Sequence, residues 1–485
     1  MMLRMMERSY RFQNFLNGEP LDVLVVGGGI TGAPLYRQLC GLGYRVALID
    51  KGDFSSGTSQ ASGMLVWGGL LYLKSLDLPT VIQLCKARNE LMRDFPSAIS
   101  VLNLRYFVSP AIRRIPILLG LYLYWFLGRF ALKRPTMGTA LGYQEGMLRH
   151  SDSRFVIEQI RAFQSEHGIP MNHCRLVAAE FVRDQHYWTV RLRDELTGQE
   201  HEGKARVIVN AAGVWADEVN RLLAVESPWK HAFSKGVYVT FPRRDGQTDA
   251  HIYPMPGADD VLTHVPWGPV MMWGPTETAI RDLESGLMPN REDIRFLLTS
   301  ANQSLPEKVG PQDVVSIRCG IRPLAVARDD FRDVYPLELS RHHRVVSNQE
   351  KQTISVYGGK FTSSFRVANQ VAKLIKRWIP ARYPQPTAFS HPPQTEHHPQ
   401  LQCEVITASW ARDHEFCVTL EDYLRRRTPI AQWTPRMGLG RDGSGRESLK
   451  KLAEAFTPEP MEAEAMVEAY ERQVCETYDP LLTTL

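Results

Sequence analysis

The run Asp22-Val-Leu-Val-Val-Gly-Gly-Gly-Ile-Thr-Gly32 carries an apolar strand straight into three glycines spaced G-x-G-x-x-G, and Asp50 closes the next apolar run, Tyr44 to Asp50. A strand, a glycine turn, a helical segment and an acid at that distance constrain the chain to a βαβ unit built for a dinucleotide. Gly27 permits the tight turn, Gly29 lets the backbone approach a pyrophosphate, and Gly32 lets the next helix pack closely on the strand. The N-terminus of that helix then faces the phosphates, and Asp50 takes the adenosine ribose hydroxyls.

With 485 residues, 44% hydrophobic and 23% charged, the chain can bury a large core and divides into two or three units. Lys+Arg exceed Asp+Glu by 57 to 53, too mild a surplus to signal a nucleic-acid partner. The seven cysteines are scattered and form no C-x-x-C pair, so neither a metal site nor a disulfide framework is expected, and a reducing, cytoplasmic setting fits. Residues 1–20 carry Arg4, Glu7, Arg8 and Arg11 without an apolar run and read as an N-terminal tail rather than a secretory signal. Ile115 to Leu127 is strongly apolar and aromatic, bounded by Arg113, Arg114, Arg129, Lys133 and Arg134. It falls short of the roughly 20 residues a spanning helix needs. Two readings stand on length alone, a buried core helix or a helix lying in the lipid headgroup boundary.

Periodicity predicts helices over Leu78 to Phe95, Ser153 to Gly168, Arg291 to Gln303 and Ser363 to Trp378. Strands are expected at Leu176 to Val182, Tyr187 to Leu192, Gly236 to Phe241, Val261 to Val265, Val270 to Trp273 and Val314 to Cys319. Arg206 to Trp215 repeats the logic of the first strand, an apolar run ending in small residues, and Thr353 to Thr362 adds a second strand-glycine-helix unit. The fold class is therefore α/β: a Rossmann-like nucleotide domain with an inserted antiparallel β-sheet substrate domain and a C-terminal α-helical domain. The nucleotide part is discontinuous, about 21–95, 151–226 and 350–380, and the substrate part covers about 96–150 and 227–349. A proline- and histidine-rich segment, 381–402, reads as a solvated linker, and 403–485 as the helical domain.

Assembled this way the chain resembles the D-amino-acid oxidase type of FAD-binding fold, and within it the FAD-dependent glycerol-3-phosphate dehydrogenases. The carrying motifs are Val26 to Gly32, Thr58-Ser-Gln-Ala-Ser62, Gly68-Gly-Leu-Leu-Tyr-Leu73, Asn210-Ala-Ala-Gly-Val-Trp215, Lys235-Gly236, Pro266-Trp267, Gly320-Ile-Arg-Pro-Leu324 and Gly358-Gly-Lys-Phe-Thr362. Leu420 to Thr428 is similar to the segment of that family's C-terminal domain that carries paired arginines. The resemblance implies FAD, with Gly27, Gly29, Gly32 and Asp50 at its ADP half, Thr58 and Ser62 on the flavin side, and Gly358, Gly359, Lys360 and Thr362 closing over the ring. It implies that Arg322 and Lys360 meet a small anionic substrate; apart from the resemblance, Tyr72 or Tyr238 could relay a proton. It implies a monotopic protein at the cytoplasmic side of a membrane, docking through Ile115 to Leu127 and passing electrons to quinone or a similar acceptor.

Three positions depart from that family's pattern. Trp67 stands where it has histidine before Gly68, Leu71 replaces its arginine, and Tyr238 replaces a second histidine. Losing a guanidinium removes a full charge and up to five donors, which a phosphate dianion needs more than a carboxylate does. Lys360, Tyr72, Tyr238 and His264 are the candidates for taking the hydroxyl proton, since a guanidinium stays protonated. Cys319 raises the question of covalent flavin attachment, against a structural thiol. For Arg322 the competing role is an internal ion pair, with Asp329 or Asp330. Oxidation of an amino acid or hydroxy acid, or flavin binding without dehydrogenase activity, are the alternative functions.

Overall fold

The computed structural model describes residues 8, 10–15, 19–163, 167–255, 260–329, 342–388 and 392–483. Its centre is an eight-stranded sheet in which Arg344–Asn348, Thr353–Tyr357, Glu200–Asn210, Leu21–Val26, Val46–Ile49 and Gly168–Met171 lie side by side in that order. Leu21–Val26 is parallel to both Val46–Ile49 and Glu200–Asn210, and buried on both faces, as a parallel strand between covered faces must be. Helices Gly32–Gly41, Asp152–Arg161 and Ser364–Trp378 cover one face, where Val23, Val25, Leu35, Leu39, Val371 and Ile375 share a core. Tyr187–Asp194 and Cys174–Val182 continue the sheet antiparallel from the first half of Glu200–Asn210.

A ten-stranded sheet holds the inserted part, in the order Thr278–Ile280, Trp229–Pro242, Val270–Gly274, Val261–Trp267, Ala250–Pro254, Ile99–Tyr106, Leu141–Leu148 and Leu65–Val66. Ser316–Ala327 also pairs with Trp229–Pro242, in a register that sets Ser234 opposite Arg322 and Gly236 opposite Gly320. Strand alternation then divides Trp229–Pro242 between two environments. Val237, Val239 and Phe241 point into one core and Tyr238 into another.

Several expectations need correction. Residues 10–15 are helical, not a tail: Phe12 and Phe15 are buried, Phe12 stacks on His201 and Arg8 pairs with Asp194 at 2.8 Å. Two phenylalanines three apart make an apolar helix face too short to register as a run. The helix expected to reach Gly168 is Asp152–Arg161, and Gly168–Met171 is instead a strand beside Val46–Ile49. Arg344–Asn348 belongs to the nucleotide sheet, which moves the end of the inserted part back from 349. The segment read as a solvated linker is anchored: Arg382 pairs with Asp22 at 2.8 Å, Tyr383 stacks on His167, and Thr395–His398 forms a hairpin with Cys403–Ile406. His391 lies outside the described residues.

The C-terminal helices have no core of their own. Tyr423, Phe456, Val467 and Val474 pack with Val237, Val239, Trp273 and Leu297 on the back of the ten-stranded sheet. A buried charge cluster fastens them to the nucleotide part: Arg426 and Arg427 both donate to the Asp53 carboxylate, Arg426 also reaches Asp422, and His173 lies 3.2 Å from Asp422. Asp53, His173 and Asp422 bring metal-type ligand atoms together, but the two guanidiniums already answer both carboxylates.

The helix Arg114–Leu127 is not a core helix. Leu121 and Tyr124 are its buried side chains. Ile115, Leu119, Tyr122, Leu123 and Phe126 are exposed, a stripe at helical spacing that Ile112 and Phe130 extend. Among the described residues no helix is long and apolar enough to cross a membrane.

Candidate active site

A cavity of about 1270 Å³ runs from the first glycine turn to the middle of the two longest strands of the ten-stranded sheet. One end is the turn after Leu21–Val26. A Cβ on Gly27 would lie 2.5 Å from Ala211 O, and one on Gly32 would lie 1.9 Å from Gly27 O, so only glycine lets strand, turn and helix close. Gly29, Ile30 and Thr31 then line the cavity at the helix N-terminus. Asp50 accepts hydrogen bonds from Gly28 N at 2.8 Å and Gly52 N at 3.0 Å. Burial pushes its carboxyl up to about 6, the two N–H groups pulling the other way. Lys51 lies over the Trp215 ring at 4.1 Å, walling the same end. A cradle emptied of side chains, a helix N-terminus and a carboxylate beyond it fit the ADP half of FAD.

Thr58 and Ser62 line the cavity, as do Gly358, Gly359, Lys360 and Thr362. Thr58 donates its hydroxyl to Ile321 O, and Ser62 N donates to Asp152, which is itself held by Arg318 at 2.8 Å. The Gly358 turn is fixed by a residue that sequence reasoning missed. His231, its side chain fully buried, accepts the Gly358 N–H on Nε2 at 3.1 Å. Burial lowers this imidazole to about 4, which keeps the ring neutral, and the Gly358 N–H selects the tautomer whose Nε2 carries no proton.

Arg322, Lys360 and Tyr72, the three catalytic candidates, all line the cavity. Lys360 Nζ donates to the Tyr72 hydroxyl. Arg322 lies flat against Gly236, where a Cβ would meet its guanidinium. It is ion-paired, though with Glu277 at 3.2 Å rather than with Asp329. Asp330 lies outside the described residues. Ser234 and Glu277, which hold Arg322, were not legible because they converge only through strand pairing. Trp67, Leu71 and Tyr238, the three departures, line the same cavity.

Of the positions assigned to the cofactor by resemblance, only Gly32 does not line the cavity, its part being the close packing of helix on turn. Two other candidates are not brought to the site. His264 points away, packed edge-on to Trp273, and burial lowers it to about 4. Cys319 sits one residue from Gly320, on the opposite face of the strand, where it packs on the core shared with the C-terminal helices. Burial pushes its thiol up to about 12, so it is a structural thiol.

Residues 22–374 match the family model described as FAD dependent oxidoreductase. A glycerol-3-phosphate dehydrogenase of Mycobacterium leprae is 27% identical over 75% of this chain and 64% of its own length. A D-erythritol 1-phosphate dehydrogenase of Brucella abortus is 27% identical over 75% of each chain. This chain thus spans just under two thirds of the first relative and three quarters of the second. Among solved structures, a glycerol-3-phosphate dehydrogenase from Bacillus halodurans complexed with FAD superposes with a TM-score of 0.72, at 18% identity and over 99% of both chains. That likeness covers the C-terminal helices as well as the two sheets.

Proposed function

The chain belongs to the FAD dependent oxidoreductase family, with FAD as its cofactor, and from that premise we propose that it oxidises the hydroxyl-bearing carbon of a small anionic alcohol and passes the electrons to a membrane acceptor such as quinone. The observation that carries the reading is the convergence of Arg322, Lys360 and Tyr72 on the cavity that the glycine cradle and Asp50 begin. Two curated relatives are named for polyol phosphates, substrates of this chemical kind.

When bound, FAD supplies the two-electron acceptor. The chain's own residues supply orientation and proton management. Arg322 presents a planar fork whose position is fixed by Ser234 and Glu277, so an anionic group meeting it is held in one orientation without reordering the side chain. Lys360 adds a second positive group across the cavity. Its hydrogen bond to Tyr72 places an ammonium beside the phenol oxygen, and a Tyr72 ionised at that oxygen would take the substrate's hydroxyl proton to become the neutral phenol while Lys360 keeps its own. Tyr238 is less suited to that role: burial pushes its hydroxyl above the usual phenol range. The turn that His231 fixes sets Gly358 to Thr362 on the cavity wall.

The exposed stripe of Arg114–Leu127, flanked by Arg113, Arg129, Lys133 and Arg134, supports docking on an anionic lipid surface. In this reading the protein lies on the cytoplasmic side of a membrane and does not span it.

Arg322→Ala tests the site. The variant is expected to keep FAD at wild-type stoichiometry, because Arg322 lies away from the glycine cradle, and to lose substrate affinity by about a hundredfold, the scale of a deleted charge-assisted bond pair. Loss of flavin with retained substrate affinity would overturn the assignment.

A further inference from the structure

The arrangement around Arg322 bears on the charge of its ligand. Arg322 is the cation on the inner wall of the substrate end, yet it arrives already paired. Its Nη1 lies 3.2 Å from Glu277 Oε2 and donates to Ser234 Oγ at 3.3 Å, while the Ser234 hydroxyl donates to the other Glu277 oxygen. Ser234 is fully buried and the Glu277 side chain is 3% exposed, whereas a quarter of the Arg322 side chain is accessible. The guanidinium therefore turns one edge to the cavity and keeps the other on an acid that cannot turn away to solvent. Glu277 is itself a cavity-lining residue.

Around this end the positive charge is largely answered before a ligand arrives. Arg322 and Lys360 bring two positive groups and Glu277 one negative, while Leu71, Trp67 and Tyr238 bring none. Lys74, Asp77 and Asp260, also on the cavity wall, add one positive and two negative groups. Among the described residues the wall thus offers no surplus of cations to match a doubly charged ligand. A second negative charge gains nothing from Arg322 that Glu277 has not already taken, and it is repelled by the buried Glu277 carboxylate.

We infer that Glu277 is a specificity-determining residue that makes the pocket select a singly charged anion, a hydroxy acid carboxylate, over a phosphate dianion of similar size. The inference rests on the reading above that Arg322 meets the substrate's anionic group, and it narrows that group's chemistry.

The test uses the FAD-loaded protein and two three-carbon probes, glycerate as the monoanion and glycerol 3-phosphate as the dianion, each titrated against the flavin spectrum and then used in reductive half-reactions. Wild type is expected to bind glycerate more tightly. Glu277→Gln is expected to shift the affinity ratio toward glycerol 3-phosphate by about tenfold or more, and Glu277→Asp, which keeps the charge, to stay with wild type. A purely structural Glu277 would change both affinities by one factor, and that result overturns the inference. Tighter wild-type binding of glycerol 3-phosphate overturns it without touching the proposed oxidation of anionic alcohols. Binding of neither probe overturns both.

Discussion

Gly32→Ala is the most local perturbation of the cofactor site. A Cβ at Gly32 falls 1.9 Å from Gly27 O and 3.1 Å from Gly27 C, where ordinary contact begins at 3.4 Å, so turn and helix must part by roughly 1.5 Å. Neither is free to move. Gly27 N is bonded to Ile49 O at 2.8 Å, and the space beside Gly27 is filled by the Ala211 backbone. The helix is held from its other side by Leu35, Tyr36 and Leu39, all buried. Overpacking costs about 1–3 kcal/mol, and two backbone atoms in collision put this site at about 3 kcal/mol. The same displacement carries the helix N-terminus off the position from which its N–H groups meet a pyrophosphate. Losing two such bonds at about 1 kcal/mol each weakens FAD binding roughly thirtyfold. Thermal melts of the apoprotein and flavin-fluorescence titrations read the two effects separately. Gly120→Ala is the control: nothing lies within 4 Å of its Cβ position, and it is expected to bind FAD as wild type does. A Gly32→Ala protein that melts and binds FAD like wild type would refute the packing argument.

Three further outcomes are expected. Asp50, pushed up to about 6, favours its neutral form in the fold, so its contribution to apoprotein stability is complete below the ordinary carboxylate value and is lost as pH rises through about 6. Ribose hydroxyls donate to the ionised carboxylate, so FAD affinity should move oppositely and weaken as pH falls below about 6; a cofactor titration whose pH profile is unchanged in Asp50→Asn would contradict this. Arg427→Met leaves Asp53 with Arg426 as its one guanidinium and should cost about 3 kcal/mol in urea unfolding, partly restored by adding Asp53→Asn; unchanged stability would show that the cluster does not fasten the C-terminal helices. Replacing Ile115, Leu119 and Phe126 by serine should abolish flotation with anionic vesicles and leave the melting temperature in place, because all three are exposed; undiminished flotation would remove this helix as the docking element.

What could be read from the chain beforehand follows from how local the physics is. The glycine cradle was legible because the requirement for a missing Cβ is imposed within one short turn, Gly27 on Gly32. Arg322, Lys360 and Tyr72 were legible through short motifs, and the structure brings them to one cavity. Glu277 was not, since its tie to Arg322 and Ser234 exists only once Ser316–Ala327 pairs with Trp229–Pro242 and the chain turns back after Val270–Gly274. The two strand histidines show the same limit. His264 drew attention in the sequence and His231 none, yet His231 is the one bonded to the cavity-lining Gly358 turn. The N-terminal segment was misjudged, and the seat of the C-terminal helices went unforeseen, for a related reason. The packing of Phe12 and of Val467 cannot be seen without the partner surfaces, His201 for the first and the back of the ten-stranded sheet for the second.

The central claim is that this cavity joins a bound flavin to a site for small hydroxylated anions. Anaerobic mixing of the FAD-loaded protein with glycerol 3-phosphate, glycerate, uncharged glycerol and free amino acids, followed by the loss of oxidised-flavin absorbance, tests it most directly. Bleaching by a hydroxylated anion is expected, abolished in Arg322→Ala, and none by glycerol. Bleaching by amino acids alone, or by uncharged glycerol as fast as by any anion, would contradict it.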